Sequence, residues 1–503
     1  MGKKSSVITI LLIFLGIYFY LYFCLTNFVF FNFDMPRVAL IVKDFLQNGT
    51  FLTSQSYFEE SVWRNIPWGP SLVFFYAIFL RFSNDPLTIS YMLSFVNLGA
   101  IIVLAFVLWK NFSKSIALAS LFLIASNPYW VTYVRIIYQP SPVTFFIPLS
   151  MAIFFEAVFN KKWWAYILLP ISWVILFQIY IPTYSFILTS IIFSIFFVKK
   201  VNFKFLTIGV FLSFVLLAPT FLFLNSNREY LNRYAEAPNL FTPSEKTFSE
   251  RLINVTKSFV LIPIGGVFEH QTGYGQNDFV TYYLPMYSYV TPYLGALLIC
   301  ALFWNLYKAI FEKDNKRLIL CLWAITPVWS MMVLWVSDIL PRYYLHAFPA
   351  IMILISILFL DMVKISKFFW LLPIGVITYW VIFNFSYNNF IQNYEYPNGR
   401  FRDVAETPYI YFNQAVGWII KDANQKQCDP VVTNNEENPE FDIWLETKYV
   451  WEYIYKRPVG RLRKDLEPCY YVINYKNKVK ELGVTNYKVF GLYTVFEYNK
   501  VKN

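Results

Sequence analysis

Four groups of residues in this chain have the types and the setting to do chemistry. Asp34 stands in Phe33-Asp34-Met35-Pro36-Arg37, directly after the first long apolar run. A carboxylate at such a boundary is costly to keep and is suited to take a proton from an attacking hydroxyl. It is also suited to cap a helix that Asn48-Gly49 would stop, because Asp shortly before proline is a helix start signal. Glu59, Glu60 and Arg64 precede Pro67-Trp68-Gly69-Pro70. Here an arginine could meet a phosphate while a glutamate orients a substrate or a divalent ion. A plain exposed polar loop accounts for the same residues. Arg135 and Gln139 lie in SNPYWVTYVRIIYQPSPVTFF. Gln139 can donate and accept hydrogen bonds without acting as a base, and Arg135 could simply snorkel to headgroups. In SDILPRYYLHAFP, finally, Arg342 is followed at once by Tyr343 and Tyr344, then His346. A guanidinium beside two tyrosines suits a lipid-linked phosphate. The plainer alternatives are an interfacial Tyr/Arg belt and a helix–helix hydrogen bond for His346.

Metal and nucleotide chemistry are not indicated. The chain has two histidines, His270 and His346, without HxxxH or HExxH spacing, and five cysteines without CxxC. Glu269 and Asp278 could assist a hard cation, but the Gly273-Tyr274-Gly275 run lacks the lysine of a phosphate-binding loop. Cys24, Cys300 and Cys321 lie in apolar runs, as small core residues do. Cys428 and Cys469 fall in a polar stretch, where a disulfide can form if that stretch is extracytoplasmic.

These residues must be positioned by membrane spans. The 503 residues are 57% hydrophobic and 15% charged, against about 25% charge in soluble domains, so the chain is a polytopic membrane protein. The net charge of +11 comes in clusters between apolar runs, which follows the positive-inside rule and argues against a nucleic-acid partner. Apolar runs occur at about 7–33, 87–109, 115–128, 142–159, 163–181, 184–198, 205–224, 286–308, 317–337, 343–362 and 368–386. The basic clusters are Lys3-Lys4, Lys110 with Lys114, Lys161-Lys162, Lys199-Lys200, Lys313 through Arg317, and Lys364 with Lys367. All six share the cytoplasmic side only if the further apolar run at 68–82 does not cross by itself. That run is therefore expected to be re-entrant or interfacial, leaving about eleven transmembrane helices and a cytoplasmic N-terminus, read as a retained span. Residues 1–386 form the transmembrane part, with outer loops 34–86 and 225–285. Residues 387–503 form a small extracytoplasmic α/β domain, with a helix in YFNQAVGWIIKDA and strands in VVT, YYVI and YKVFGLYTVFEY.

The layout resembles the GT-C class of membrane glycosyltransferases, which includes protein O-mannosyltransferases and aminoarabinose transferases. The resemblance covers roughly residues 1–390. It rests on Asp34 after the first span, on Ile66-Pro67-Trp68-Gly69-Pro70 turning back into the membrane, on the Arg135 loop before Phe146, and on PRYYLHAFPAIMILISI. It implies transfer of a sugar from a polyprenyl-phosphate carrier to a glycan, lipid or protein acceptor on the outer face of the cell membrane. Asp34 would then be the general base of an inverting reaction. Arg342 and Tyr343, helped by Arg64, would bind the donor phosphate, and Glu59, Glu60, Arg135, Gln139, Tyr344 and His346 would contact substrate. No resident metal is implied, although a divalent cation could assist. Departures from the pattern are Met35, where many relatives have a second acid after the aspartate, and Gln139, where relatives often have one. A transporter or flippase for a lipid-linked or small polar substrate is the alternative from another class, although the paired, broken helices of such proteins are not visible. A lipid-linked glycan polymerase or ligase, which would rely on outer-loop arginines, is the third.

Overall fold

A computed structural model describes residues 3–25, 29, 34–49, 69–197, 201–226, 247–261, 286–333, 341–393, 409–433, 448–456, 466–475, 487–490 and 493–497. Each of the eleven apolar runs is helical over most of its described residues. Helix α1 (Lys3–Phe19) passes into a π-turn, Tyr20–Cys24, so the run expected to reach position 33 is helical only to Cys24 among the described residues. After it come α2 (Asp34–Asn48), α3 (Pro70–Phe82), α4 (Pro86–Asn111), α5 (Lys114–Ser126), α6 (Pro128–Val134), α7 (Val143–Val158) and α8 (Trp163–Ile179). The series continues with α9 (Tyr184–Phe197), α10 (Phe203–Ser226), α11 (Phe248–Leu261), α12 (Met286–Phe311) and α13 (Asn315–Val333). The last two long apolar helices are α14 (Phe348–Ile365) and α15 (Leu371–Asn393). Six helices among the described residues are long and apolar enough to cross a bilayer, and α5 with α6, bent by 68°, would make a seventh. Four others are apolar but shorter, so length alone does not reach the eleven spans expected from the sequence.

Helix ends follow local chemistry. Asp85 caps α4 by accepting from the Thr88 amide at 3.0 Å, with Pro86 in the first turn, and Ser113 caps α5 through the Ile116 amide. Gly49, at φ +74°, closes α2 through its amide to the Phe45 carbonyl at 2.8 Å.

Ion pairs define one face of the bundle. Lys110 at the end of α4 meets Glu156 of α7 at 3.0 Å, and the Lys162 amide donates to the Glu156 carbonyl. Lys316 reaches the Asn111 carbonyl, while Arg317 and Lys364 share Asp361 at 2.9 and 2.7 Å. Four of the basic clusters therefore lie together. The far ends of α4 and α8 mark the opposite face, and both ends of α3 are there. The Gly69 amide donates to the Gln178 carbonyl at 3.3 Å at the close of α8, and Asn84 immediately precedes α4. Helix α3 thus lies along that face without crossing the bundle.

The C-terminal part docks on the same face. Asn84 donates to the Tyr453 carbonyl at 3.0 Å and receives the Tyr449 hydroxyl on its own carbonyl at 2.8 Å. Buried Lys43 of α2 bonds the Leu80 carbonyl and the Asn84 side chain and lies over the Tyr453 ring. Helix α16 (Tyr409–Lys426) covers a four-stranded sheet of order β1-β2-β4-β3. Its strands are β1 (Asp429–Thr433), β2 (Pro468–Tyr475), β3 (Lys488–Phe490) and β4 (Tyr493–Glu497). Strands β1 and β2 run parallel and the other pairs antiparallel, while Phe412, Ala415, Val416, Ile419 and Ala423 form the buried helix stripe. Cys428 and Cys469 are disulfide-bonded, with Cα atoms 5.8 Å apart. Helix α15 runs on to Asn393, past the expected boundary at 386.

Candidate active site

Arg342 sits in the short 3-10 turn Pro341–Tyr344 that leads into α14, on the face opposite the basic clusters. Its Nη1 donates to the Tyr138 hydroxyl, and the guanidinium lies 5.9 and 5.8 Å from the ring centres of Tyr138 and Tyr343. Tyr133 stacks on Tyr138 at 6.3 Å. Tyr180, at the end of α8, is buried within electrostatic reach of Arg342, and its hydroxyl has no partner among the described residues. A phenol hydroxyl can donate a hydrogen bond to an anionic oxygen. An arginine with open donors beside an orphan phenol is a place where an anionic oxygen would satisfy both.

The loop that carries Tyr138 is held from α3. The Tyr76 hydroxyl donates to the Tyr138 carbonyl at 2.7 Å and accepts from the Tyr138 amide at 3.0 Å. Arg135, at the end of α6, donates to the Leu21 carbonyl at 3.2 Å in the π-turn. Gln139 is half-buried in the turn after Tyr138.

The other expected residues are distributed as follows. Tyr343 joins Arg342 directly. Tyr344 is fully buried, donating to the Val255 carbonyl of α11 at 3.3 Å with Phe259 against its ring. His346 is also buried, its Nε2 2.6 Å from the Ser185 hydroxyl of α9. Asp34 opens α2, whose helix the structure describes; its side chain lies outside the described part. Glu59, Glu60, Arg64, Glu269, His270 and Asp278 also lie outside the described residues. Three tyrosines were missed by the sequence reading: Tyr76, Tyr138 and Tyr180. Tyr138 precedes Gln139-Pro140 and Tyr180 precedes Ile181-Pro182, so each marks a helix break at an interface, a weak signal in a chain with 38 tyrosines.

No family model and no curated protein matches the sequence. Solved structures match its shape. ArnT from Cupriavidus metallidurans in the apo state superimposes with a TM-score of 0.54 at 13% identity, over 99% of this chain and 98% of that one. The same protein bound to undecaprenyl phosphate gives 0.53 at 10% identity. The Archaeoglobus fulgidus oligosaccharyltransferase in the apo form gives 0.53 at 13% identity, over 90% of this chain and 64% of that one. This chain has the GT-C fold. With it come the helical membrane part and the small C-terminal α/β unit. One structure of the archaeal enzyme holds zinc and sulfate. In the present chain no three His, Cys, Asp or Glu side chains come together among the described residues.

Proposed function

We propose that this chain is an integral-membrane glycosyltransferase that moves a sugar from a polyprenyl-phosphate carrier to a glycan, lipid or protein acceptor, with inversion. The observation that carries this reading is the Arg342 cluster, a cation whose hydrogen-bond partner among the described residues is Tyr138, beside the Tyr138 and Tyr343 rings and within electrostatic reach of Tyr180, in a fold shared with a protein crystallised with undecaprenyl phosphate. In the proposed reaction the acceptor hydroxyl attacks the anomeric carbon opposite the phosphate. The bond from that carbon to the phosphate oxygen breaks, and its electron pair leaves on the phosphate. Asp34 takes the acceptor proton. Arg342 and the phenols hold the negative charge that grows on the leaving phosphate. Arg64 would assist there. Glu59, Glu60, Arg135 and Gln139 would contact sugar or acceptor. We assign Tyr344 and His346, both buried, to holding the Arg342 turn against α11 and α9.

The reaction face is taken as extracytoplasmic. The positive-inside rule would put the basic clusters in the cytoplasm, and a disulfide persists in an oxidising compartment. The test is transfer from a polyprenyl-phosphate sugar by Asp34→Asn in purified membranes. Glycosyl transfer is expected to disappear while expression and thermal stability persist; full activity would remove the base assignment.

A further inference from the structure

A cavity of about 720 Å³ opens on the face opposite Arg342. It lies where α4 ends, α5 and α13 begin and α14 ends, and its lining includes Asn111, Lys313, Lys316, Arg317, Lys364 and Trp370. That size falls in the range of about 300–1,000 Å³ typical of ligand sites. Four cations and two carboxylates line it. Arg317 pairs with Asp361 at 2.9 Å and with Asp314 at 3.4 Å, and Lys364 pairs with Asp361 at 2.7 Å. Lys316 instead donates to the Asn111 carbonyl at 2.8 Å and lies near the Phe112 and Phe159 rings. No ion pair among the described residues involves Lys313 or Lys316. The cavity therefore keeps a positive excess.

A separate observation points to a hydroxyl. Asn111 is only 8% exposed and its Nδ2 donates to the Val107 carbonyl at 2.9 Å, but its Oδ1 has no partner among the described residues. A buried acceptor left unpaired is costly, and a ligand hydroxyl would satisfy it. The surroundings favour a lipid source. Trp370 lines it, and next to Trp370 Phe368 and Leu371 are 72% and 56% exposed, so bared apolar side chains stand beside the basic ones. Basic pockets between helices at that level suit lipid headgroups.

We propose that this cavity binds the headgroup of an anionic glycerophospholipid, with its phosphate on Lys313 and Lys316 and a glycerol hydroxyl donating to Asn111. The site is independent of the sugar-transfer reading. Lys313 also supplies a clean probe. Its φ of +54° is one that glycine adopts without cost, so Lys313→Gly removes the ammonium from a backbone that glycine suits better.

The test uses the full chain in phosphatidylcholine nanodiscs with phosphatidylglycerol added, counting retained lipid by native mass spectrometry. The wild type is expected to keep phosphatidylglycerol in preference to phosphatidylcholine. Lys313→Gly should weaken that preference about fivefold with unchanged melting, and adding Lys316→Ala should weaken it about fivefold more. Equal retention of the two lipids by the wild type, or an undiminished preference in Lys313→Gly, would overturn the proposal. Displacement of phosphatidylglycerol by an equal concentration of glycerol 3-phosphate would reassign the cavity to a soluble phosphate and also overturn it.

Discussion

Arg342 gains its character from what surrounds it. An arginine at a membrane interface ordinarily snorkels to headgroups and does little else. Here the guanidinium is bonded to Tyr138 and flanked by Tyr343, while Tyr180 keeps a buried hydroxyl without a partner among the described residues. Arg342→Ala is expected to raise the KM for a polyprenyl-phosphate sugar far more than Arg37→Ala does. Tyr180→Phe should raise the same KM several-fold while leaving thermal stability unchanged or slightly higher, because the lost hydroxyl has no partner among the described residues. A Tyr180→Phe enzyme with lowered stability and unaltered KM would make Tyr180 a packing residue.

At the scale of elements, α3 decides the geometry. Its start approaches α8 so closely that a β-carbon on Gly69 would fall 2.4 Å from the Gln178 β-carbon, and its Tyr76 clamps the Tyr138 loop. Gly69→Ala should therefore force α3 away from α8 and cost about 1–3 kcal/mol. Thermal melting in detergent would report this, and donor KM should rise with it because the Tyr138 loop loses its anchor. A variant that melts like the wild type would show that Gln178 yields easily. Glycine at 209 makes a second close approach, since a β-carbon there would meet the Ile167 carbonyl oxygen at 2.4 Å where α10 crosses α8.

For the whole molecule, the question is how the C-terminal unit is held on the bundle. Lys43 and Asn84 join α2 and the α3–α4 turn to Tyr453 and Tyr449, so the helix that begins at Asp34 is tied to the unit that covers it. Within that unit the Cys428–Cys469 disulfide closes a 41-residue separation. In the chain-entropy account such a bridge contributes about 4 kcal/mol. Reduction, or Cys428→Ala with Cys469→Ala, is expected to lower the unfolding temperature of the C-terminal unit while the apolar helices stay folded. Limited proteolysis with and without reductant would separate the two, and identical digestion would show that the bridge adds little.

Much of this was legible in the residues themselves. Apolar length, basic clusters and helix stops such as Asn48-Gly49 are local or nearly local properties, so the helices, the common basic face and the C-terminal helix and strands could be read directly. Arg342 with Tyr343 was visible because the two are adjacent. Which tyrosines join them was not, since Tyr138 and Tyr180 come from other helix ends. Equally, nothing local distinguishes Tyr343, which faces the guanidinium, from Tyr344, which is buried against Val255. The fate of 68–82 required both kinds of information. Charge counting said that it should not cross, and the tertiary contacts of Gly69 and Asn84 put both its ends on one face. Sequence by itself determined that this chain lives in a membrane and which of its faces is basic, because hydrophobic length and charge are summed along the chain. Only the tertiary structure decided which polar groups converge on Arg342, because convergence depends on how separate helices pack.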